Sequence, residues 1–185
     1  MSGASLPSEF EVIRDVAARL DQASIPYMLT GSMAMNFYAL PRMTRDIDLV
    51  VELGAADVQR MVTLFLPSYY VSRSAVEEAV QTERMFNLIH QESIIKVDCI
   101  VRKSSTYRRS EFQRRQRSRI HDLDLWLVTK EDLVLSKLVW AKDSHSELQL
   151  GDVRRLLGTG CDQAYLDRWA GQLEVVELLE ECRHD

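Results

Sequence analysis

The pattern of apolar and polar residues predicts two regions that differ in their secondary structure. Helical spacing over 8–23, with Ser8 as the N-cap, precedes a short strand at 27–30. Apolar runs predict a strand at 46–52, a β-hairpin made of 85–90 and 94–101, and a last strand at 124–128. Strands and helices are thus mixed up to about residue 128, and the pattern predicts only helices beyond it.

The C-terminal helices begin at a recognisable start signal. Residues 129–132, Thr-Lys-Glu-Asp, match a capping box before an apolar run. The helix at about 130–142 is apolar nearly all round, so we expect it to be largely buried. Further helices are predicted near 147–157, 163–170 and 173–183. The chain is therefore interpreted as an α/β core over 1–128 and a helical subdomain over 129–185.

Two carboxylates follow a Gly-Ser pair near the start of the predicted sheet. Gly31 and Ser32 open a second helix that is predicted to end near Pro41, and Asp46 and Asp48 lie at i and i+2 of the next strand. Side chains at i and i+2 of a strand point to the same face. Two such charges about 4 Å apart repel by roughly 4 kcal/mol at an effective dielectric near 20, which favours a cation between them.

A third carboxylate, Asp98, lies in the middle of an otherwise apolar strand, Ile-Ile-Lys-Val-Asp-Cys-Ile-Val. Lys96 and Asp98 share one face of that strand, so one interpretation is a charged stripe on the surface. The pair of carboxylates in an adjoining strand favours a carboxylate triad instead. Three carboxylates around two metal ions about 3.5–4 Å apart are typical of nucleotidyl transfer. A glycine followed by a helix start also allows a phosphate to approach the backbone closely.

Composition narrows the classes of function. The chain has 185 residues, 46% of them hydrophobic, and its net charge of −5 gives no bulk support for non-specific nucleic-acid binding. No apolar run approaches the 18 residues of a membrane span, and the first residues do not form a signal peptide. The three cysteines form no Cys-x-x-Cys pair, which is typical of a reduced protein of the cytoplasm.

The Gly31-Ser32 pair, thirteen intervening residues, Asp46-x-Asp48 and a later strand aspartate resemble the polymerase-β-type nucleotidyltransferase superfamily. The stretch Arg42-x-Thr44-x-Asp46-Ile47-Asp48 is similar to its small bacterial members. These members include AbiEii-type abortive-infection toxins, minimal nucleotidyltransferases of toxin–antitoxin pairs and antibiotic-modifying enzymes. The resemblance implies an α/β (α+β) fold, with an antiparallel or mixed sheet flanked by helices and a C-terminal helical segment.

The resemblance also implies roles for individual residues. Asp46 and Asp48 would bind two Mg²⁺ ions, or Mn²⁺ in their place, and Asp98 would bind the catalytic ion and orient the acceptor hydroxyl. Gly31 and Ser32 would hold the β- and γ-phosphates of a nucleoside triphosphate (NTP). Residues 42–45, Thr44 and Arg45 among them, precede the metal pair, where they would face the nucleotide or form a solvated turn.

Lys137 falls inside the apolar arc of the helix that follows the capping box. A lysine there either reaches solvent or meets an anion. Abortive-infection toxins are similar in placing a lysine on this helix and an aspartate further on, here Asp152, which implies a nucleotide-binding role for Lys137. The alternative is a Lys137–Asp152 ion pair that only joins two helices.

Residues 102–119 are locally basic, with eight Lys or Arg against one acid, Glu111. Tyr107 and Phe112 lie between them and are available for stacking. Such a stretch is either a surface that receives RNA, a nucleotide or an acidic partner, or a solvated arginine-rich loop.

Together these features predict a cytoplasmic Mg²⁺-dependent nucleotidyltransferase that moves a nucleoside monophosphate from ATP or another NTP to an acceptor hydroxyl. The acceptor would be a protein side chain, an RNA end or a small molecule. The rival interpretation is a nucleotide-binding regulatory protein on the same fold, with little or no catalysis and a cognate toxin or antitoxin as its partner. A plain interaction domain ranks last because it leaves the three aspartates without a cation.

Overall fold

A computed structural model describes residues 8–39, 46–120 and 123–184 of the chain. The strands are β1 (Tyr27–Thr30), β2 (Ile47–Val51), β3 (Tyr69–Tyr70), β4 (Met85–His90), β5 (Lys96–Val101), β6 (Gln116–Ile120) and β7 (Leu123–Leu127). The helices are α1 (Glu9–Gln22), α2 (Gly31–Met35), α3 (Val58–Phe65), α4 (Arg73–Thr82), α5 (Thr106–Arg114), α6 (Lys130–Ala141), α7 (Glu147–Leu157), α8 (Gln163–Leu173) and α9 (Val176–His184). A short 3₁₀ turn at Ala55–Asp57 precedes α3.

The seven strands form one mixed sheet in the order β3-β4-β5-β2-β1-β7-β6. Strand β2 is central, because it pairs antiparallel with β1 on one side and parallel with β5 on the other. Strands β4 and β5 form the predicted antiparallel hairpin. The mixed sheet flanked by helices confirms the fold class predicted from the sequence.

The core of the sheet follows from alternation along its strands. In β2, Ile47, Leu49 and Val51 are buried, whereas Asp48 and Val50 on the other face are only partly covered. Strand β5 shows the same alternation, with Val97, Cys99 and Val101 buried. The carboxylates therefore lie on the less buried face of the sheet, where a ligand can reach them.

Helix α6 joins the sheet to the C-terminal helices. Its start is capped by Thr129, whose hydroxyl accepts a hydrogen bond from the backbone N–H of Asp132 at 3.4 Å. Asp132 is fully buried and is held by the hydroxyl groups of Thr129, at 2.6 Å, and Tyr165, at 2.7 Å. Helices α7, α8 and α9 follow near their predicted positions and pack against α6 and one another. The division into units at residue 128 remains a prediction, although the last strand ends at Leu127.

Two predictions about local structure are wrong. Helix α2 ends at Met35 rather than near Pro41, because the N–H groups of Asn36, Phe37 and Tyr38 bond to carbonyls three residues back. The Tyr38 hydroxyl fixes this tighter turn by donating to the carbonyl of Val128 at 2.6 Å.

The basic stretch is not a loop, since it forms α5 and the edge strand β6. Several of its arginines pair with carboxylates of the fold. These ion pairs are Arg102–Glu52, Arg108–Glu111, Arg114–Asp132, Arg117–Asp21 and Arg117–Asp124. Much of the local positive charge is therefore neutralised within the protein, which weakens the case for an RNA surface.

Within the described parts of the chain, no helix combines the length and the apolar character needed to cross a bilayer.

Candidate active site

The site is built on three adjacent strands at the centre of the sheet. Asp48 on β2 lies in register with Thr30, the last residue of β1, and with Asp98 on β5. Neighbouring strands are about 4.8 Å apart, and Asp48 and Asp98 lie on the partly covered face. The predicted approach of these two carboxylates therefore follows directly from the strand register.

Gly31 begins α2 at the point where β1 ends, and the Asp48 carboxylate packs against it. A Cβ atom at Gly31 would lie 2.1 Å from Oδ2 of Asp48 and 2.8 Å from its Cγ. The φ angle of Gly31 is +68°, in the left-handed region that favours glycine. Both the contact and the backbone conformation therefore require glycine at this position.

Asp98 is held by two neighbouring side chains. Lys96, two residues before it on β5, donates from Nζ to Oδ2 at 3.0 Å. Asn87, directly opposite on β4, donates from Nδ2 to Oδ1. The sequence pattern places Lys96 on the face of Asp98, whereas the position of Asn87 emerges only from the register of the β4–β5 hairpin.

The environment of Asp48 disfavours its charged form. Burial raises the pKa of its carboxyl to about 6, and the negative charges of Asp98 and Asp46 act in the same direction. Lys137 and Lys96 act against this increase, because their positive charges favour the carboxylate. The three predicted carboxylates are thus close enough to influence one another in the folded chain.

Lys137 lies on α6 and forms the ion pair with Asp152 that the alternative interpretation predicted. Its Nζ is 2.7 Å from Oδ2 of Asp152 and 3.1 Å from Oε1 of Gln149 on α7. Arg155 donates to the other oxygen of Asp152 at 2.6 Å. Because Lys137 also lowers the pKa of Asp48, it lies near the carboxylates, and its contact with a nucleotide remains a prediction.

The structure describes some of the remaining predicted site residues and not others. Asp46 is exposed immediately before β2, and Ser32 is partly covered in the first turn of α2. Thr44 and Arg45, together with Arg42, lie outside the described residues, so their predicted contact with the nucleotide remains a prediction.

The three carboxylates are chemically suited to Mg²⁺, because carboxylate oxygens are the hard ligands that this ion prefers. Asp48 and Asp98 are paired across adjacent strands, and the Asp48 carboxylate occupies the space that a Cβ atom at Gly31 would take. As the side chains are placed, no group of three Asp, Glu, His or Cys residues in the described ranges has the arrangement of a metal site. The donors therefore fit the ion by their chemistry, while both oxygens of Asp98 are in contact with Lys96 and Asn87.

The fold is shared with known nucleotidyltransferases. The solution structure of the antibiotic-resistance factor ANT(2'')-Ia matches with a TM-score of 0.62 and 13% identity, over 96% of this chain and 98% of that chain. The lincomycin-bound lincosamide antibiotic adenylyltransferase LnuA matches with a TM-score of 0.53 and 14% identity, over 84% and 99% of the two chains. An antigenic nucleotidyltransferase-like protein from Paracoccidioides brasiliensis matches with a TM-score of 0.54 and 19% identity, over 84% and 78%.

The chain has the nucleotidyltransferase fold. No protein-family model matches it, and no curated protein is significantly similar to it in sequence. The identities to the structural neighbours are below 20%, so these similarities establish the fold, and the activity must be argued from the site.

The contact between Gly31 and Asp48 predicts that Gly31→Ala is more harmful than the same change at Gly160. Both glycines have positive φ angles, but a Cβ at Gly160 meets nothing within 4 Å. Each variant should lose about 1–2 kcal/mol from left-handed strain. Gly31→Ala should lose a further 1–3 kcal/mol or so from overpacking against Asp48. Urea unfolding measures both losses, and equal losses would show that the contact does not constrain Gly31.

The raised pKa of Asp48 predicts a pH-dependent effect of Asp48→Asn in metal-free protein. The folded state binds this proton more tightly than the unfolded chain, so wild-type stability should fall as the pH rises from about 4 through 6. At pH 7 the variant should be more stable than wild type by about 1–3 kcal/mol, and near pH 4 the two should be alike.

Chemical unfolding in EDTA at several pH values measures this difference. Asp143→Asn is the matched control, since Asp143 is exposed outside the site. A stability difference between Asp48→Asn and wild type that does not change with pH would contradict the unfavourable charge at Asp48.

Proposed function

We propose that this protein is a Mg²⁺-dependent nucleotidyltransferase that transfers a nucleoside monophosphate from an NTP to an acceptor hydroxyl. The observation that carries the proposal is the placement of Asp48. Its carboxylate packs on the Gly31 backbone and lies in register with Asp98 on the adjoining strand. The shared fold of nucleotidyltransferases supports the same assignment.

The proposed roles follow the position of each residue. Asp46, Asp48 and Asp98 would hold the metal ions, which supply charge neutralisation for the triphosphate and orientation of its reacting oxygens. Gly31 and Ser32 would contact the donor phosphates, because they begin α2 at the end of β1, beside Asp48.

The protein would only need to position the two reactants and stabilise their charges during the transfer. A bond forms between the acceptor oxygen and the α-phosphorus, the bond from that phosphorus to the bridging oxygen breaks, and pyrophosphate leaves. Asp98 would bind the metal through Oδ2 and orient the acceptor hydroxyl, whose proton would pass to solvent, while Asn87 donates to Oδ1. Lys137, held by Asp152 and Gln149, would keep a fixed positive charge beside Asp48. Catalysis would rest on positioning and electrostatics rather than on a covalent intermediate.

A small molecule is the acceptor class that we favour over RNA or a protein side chain. Two structural neighbours are described as bound to antibiotic groups, LnuA to lincomycin and ANT(2'')-Ia to adenylyl-2''-tobramycin. In addition, ion pairs within the fold neutralise much of the basic stretch that had suggested RNA. We place the reaction in the cytoplasm, where NTPs are available and where Cys99, Cys161 and Cys182, all free, would stay reduced.

The rival is a nucleotide-binding regulatory protein on the same fold, half of a toxin–antitoxin pair in one version. It would use the same phosphate and metal contacts without transferring the nucleotide. Transfer of label separates the two, because only the enzyme attaches the α-phosphate to an acceptor.

The test is incubation of the protein with each α-³²P-labelled NTP, Mg²⁺ and a cell lysate. Protein, RNA and small molecules are then separated and counted. We expect label in the small-molecule fraction and matching release of pyrophosphate. Asp48→Asn and Asp98→Asn should each lower the rate at least about 10–100-fold, since even residues behind the metal ligands have effects of that size.

Asp143→Asn serves as the control and should transfer label at the wild-type rate. Wild-type transfer that survives both site substitutions would contradict the assignment of the carboxylates. NTP binding without label transfer or pyrophosphate release would favour the regulatory rival.

A further inference from the structure

Within the part of the chain that the structure describes, two positive side chains lie near the three carboxylates, and the protein holds them in different ways. Lys137 is 5% exposed and Asp152, its partner, is fully buried. Lys96 is 50% exposed, and the side chain of Asp98, its partner, is 14% exposed. Lys137 is therefore fixed between helices, whereas Lys96 reaches Asp98 from the solvent side of the sheet.

The surroundings of Lys137 keep it in place. Its ammonium donates to Gln149 as well as to Asp152, and Arg155 holds the second oxygen of that aspartate. Separating a buried pair leaves an uncompensated charge in the interior, which is strongly unfavourable. A cation that enters the site cannot readily replace Lys137.

The surroundings of Lys96 leave it free to move. Among the described residues its ammonium donates one hydrogen bond, to Oδ2 of Asp98, and half of its side chain is exposed to solvent. Ion pairs with a solvent-exposed partner are weak, because water screens them and ordering the lysine is unfavourable. A divalent cation attracts the same oxygen with twice the charge, so it can displace the ammonium.

Asn87 acts differently because it is neutral. It donates to Oδ1 from the paired position on β4, opposite the oxygen that Lys96 contacts. Loss of Lys96 from Oδ2 would leave this hydrogen bond intact. Asn87 can therefore keep the Asp98 carboxylate oriented while its other oxygen changes partner.

We propose that Lys96 is a displaceable counter-ion that occupies the Asp98 side of the site until a divalent metal enters, and that Asn87 is the positioning residue that holds Asp98 during the exchange. This inference rests on the proposed function, since it takes the carboxylates as metal ligands. It adds that the affinity of the protein for the metal is set partly by competition with Lys96.

The test measures Mn²⁺ binding to nucleotide-free protein at low ionic strength by electron paramagnetic resonance of the free ion. Lys96→Met should bind Mn²⁺ about fivefold more tightly than wild type, a change of the size expected when an exposed ion pair of about 1 kcal/mol is removed. Lys96→Arg keeps the charge and should bind with the wild-type affinity. Lys103→Met is the matched control at an exposed lysine beyond the end of β5, and it should change nothing.

Asn87→Ala separates orientation from charge. It removes no positive charge, so it should bind Mn²⁺ no more tightly than wild type, while kcat for label transfer should fall with KM for the NTP unchanged, because Asp98 loses the contact that orients it. Circular dichroism confirms that each variant is folded. An unchanged affinity in Lys96→Met, or equal tightening in Lys103→Met, would overturn the proposed competition.

Different results would contradict the proposed metal site and the proposed counter-ion role of Lys96. Absence of Mn²⁺ binding in wild type, or equal binding in wild type and Asp48→Asn, would contradict the metal site itself. Binding that depends on Asp48 but is indifferent to Lys96 would leave the metal site standing and overturn the counter-ion alone.

Discussion

The contact between the Asp48 carboxylate and the Gly31 backbone is the constraint on which the site depends. It brings together the end of β1, the start of α2 and the centre of β2. A side chain at Gly31 would occupy the position of the carboxylate, so a larger residue there would force Asp48 or the backbone to move. The register of β2 with β5 then sets Asp98 beside Asp48. Backbone geometry thus places the proposed metal ligands side by side.

The described side chains around this contact carry more negative than positive charge, so part of the negative charge is not compensated within the protein. Burial and two neighbouring carboxylates disfavour the ionised form of Asp48. Lys137 provides a permanent positive charge because α6 and α7 enclose its ion pair. Lys96 provides a second positive charge, which is exposed to solvent and pairs with Asp98. Carboxyl groups whose charged form is disfavoured are typical of functional sites, since a bound cation can neutralise that charge.

The sequence predicted the elements that carry the site, because strand alternation and helix caps are local signals. The β4–β5 hairpin, the start of α6 at Thr129 and the sheet position of Asp48 all follow from such patterns. The loop expected for the basic stretch is wrong because Glu111 is buried on α5. Its partners Arg108 and Ser136 come from two helices, and this contact has no local signal in the sequence. The position of Asn87 opposite Asp98 cannot be predicted from local patterns, since cross-strand register is a tertiary property.

The central claim is that divalent metal and nucleotide meet at the carboxylates beside Gly31. Crystals grown with Mn²⁺ and a non-hydrolysable NTP analogue test it most directly, because anomalous scattering locates the ion independently of the protein. The account predicts an anomalous peak within direct coordination distance of Asp48 and Asp98, with the triphosphate against Gly31 and Ser32. A nucleotide bound elsewhere on the sheet, or a Mn²⁺ peak away from these carboxylates, would contradict it.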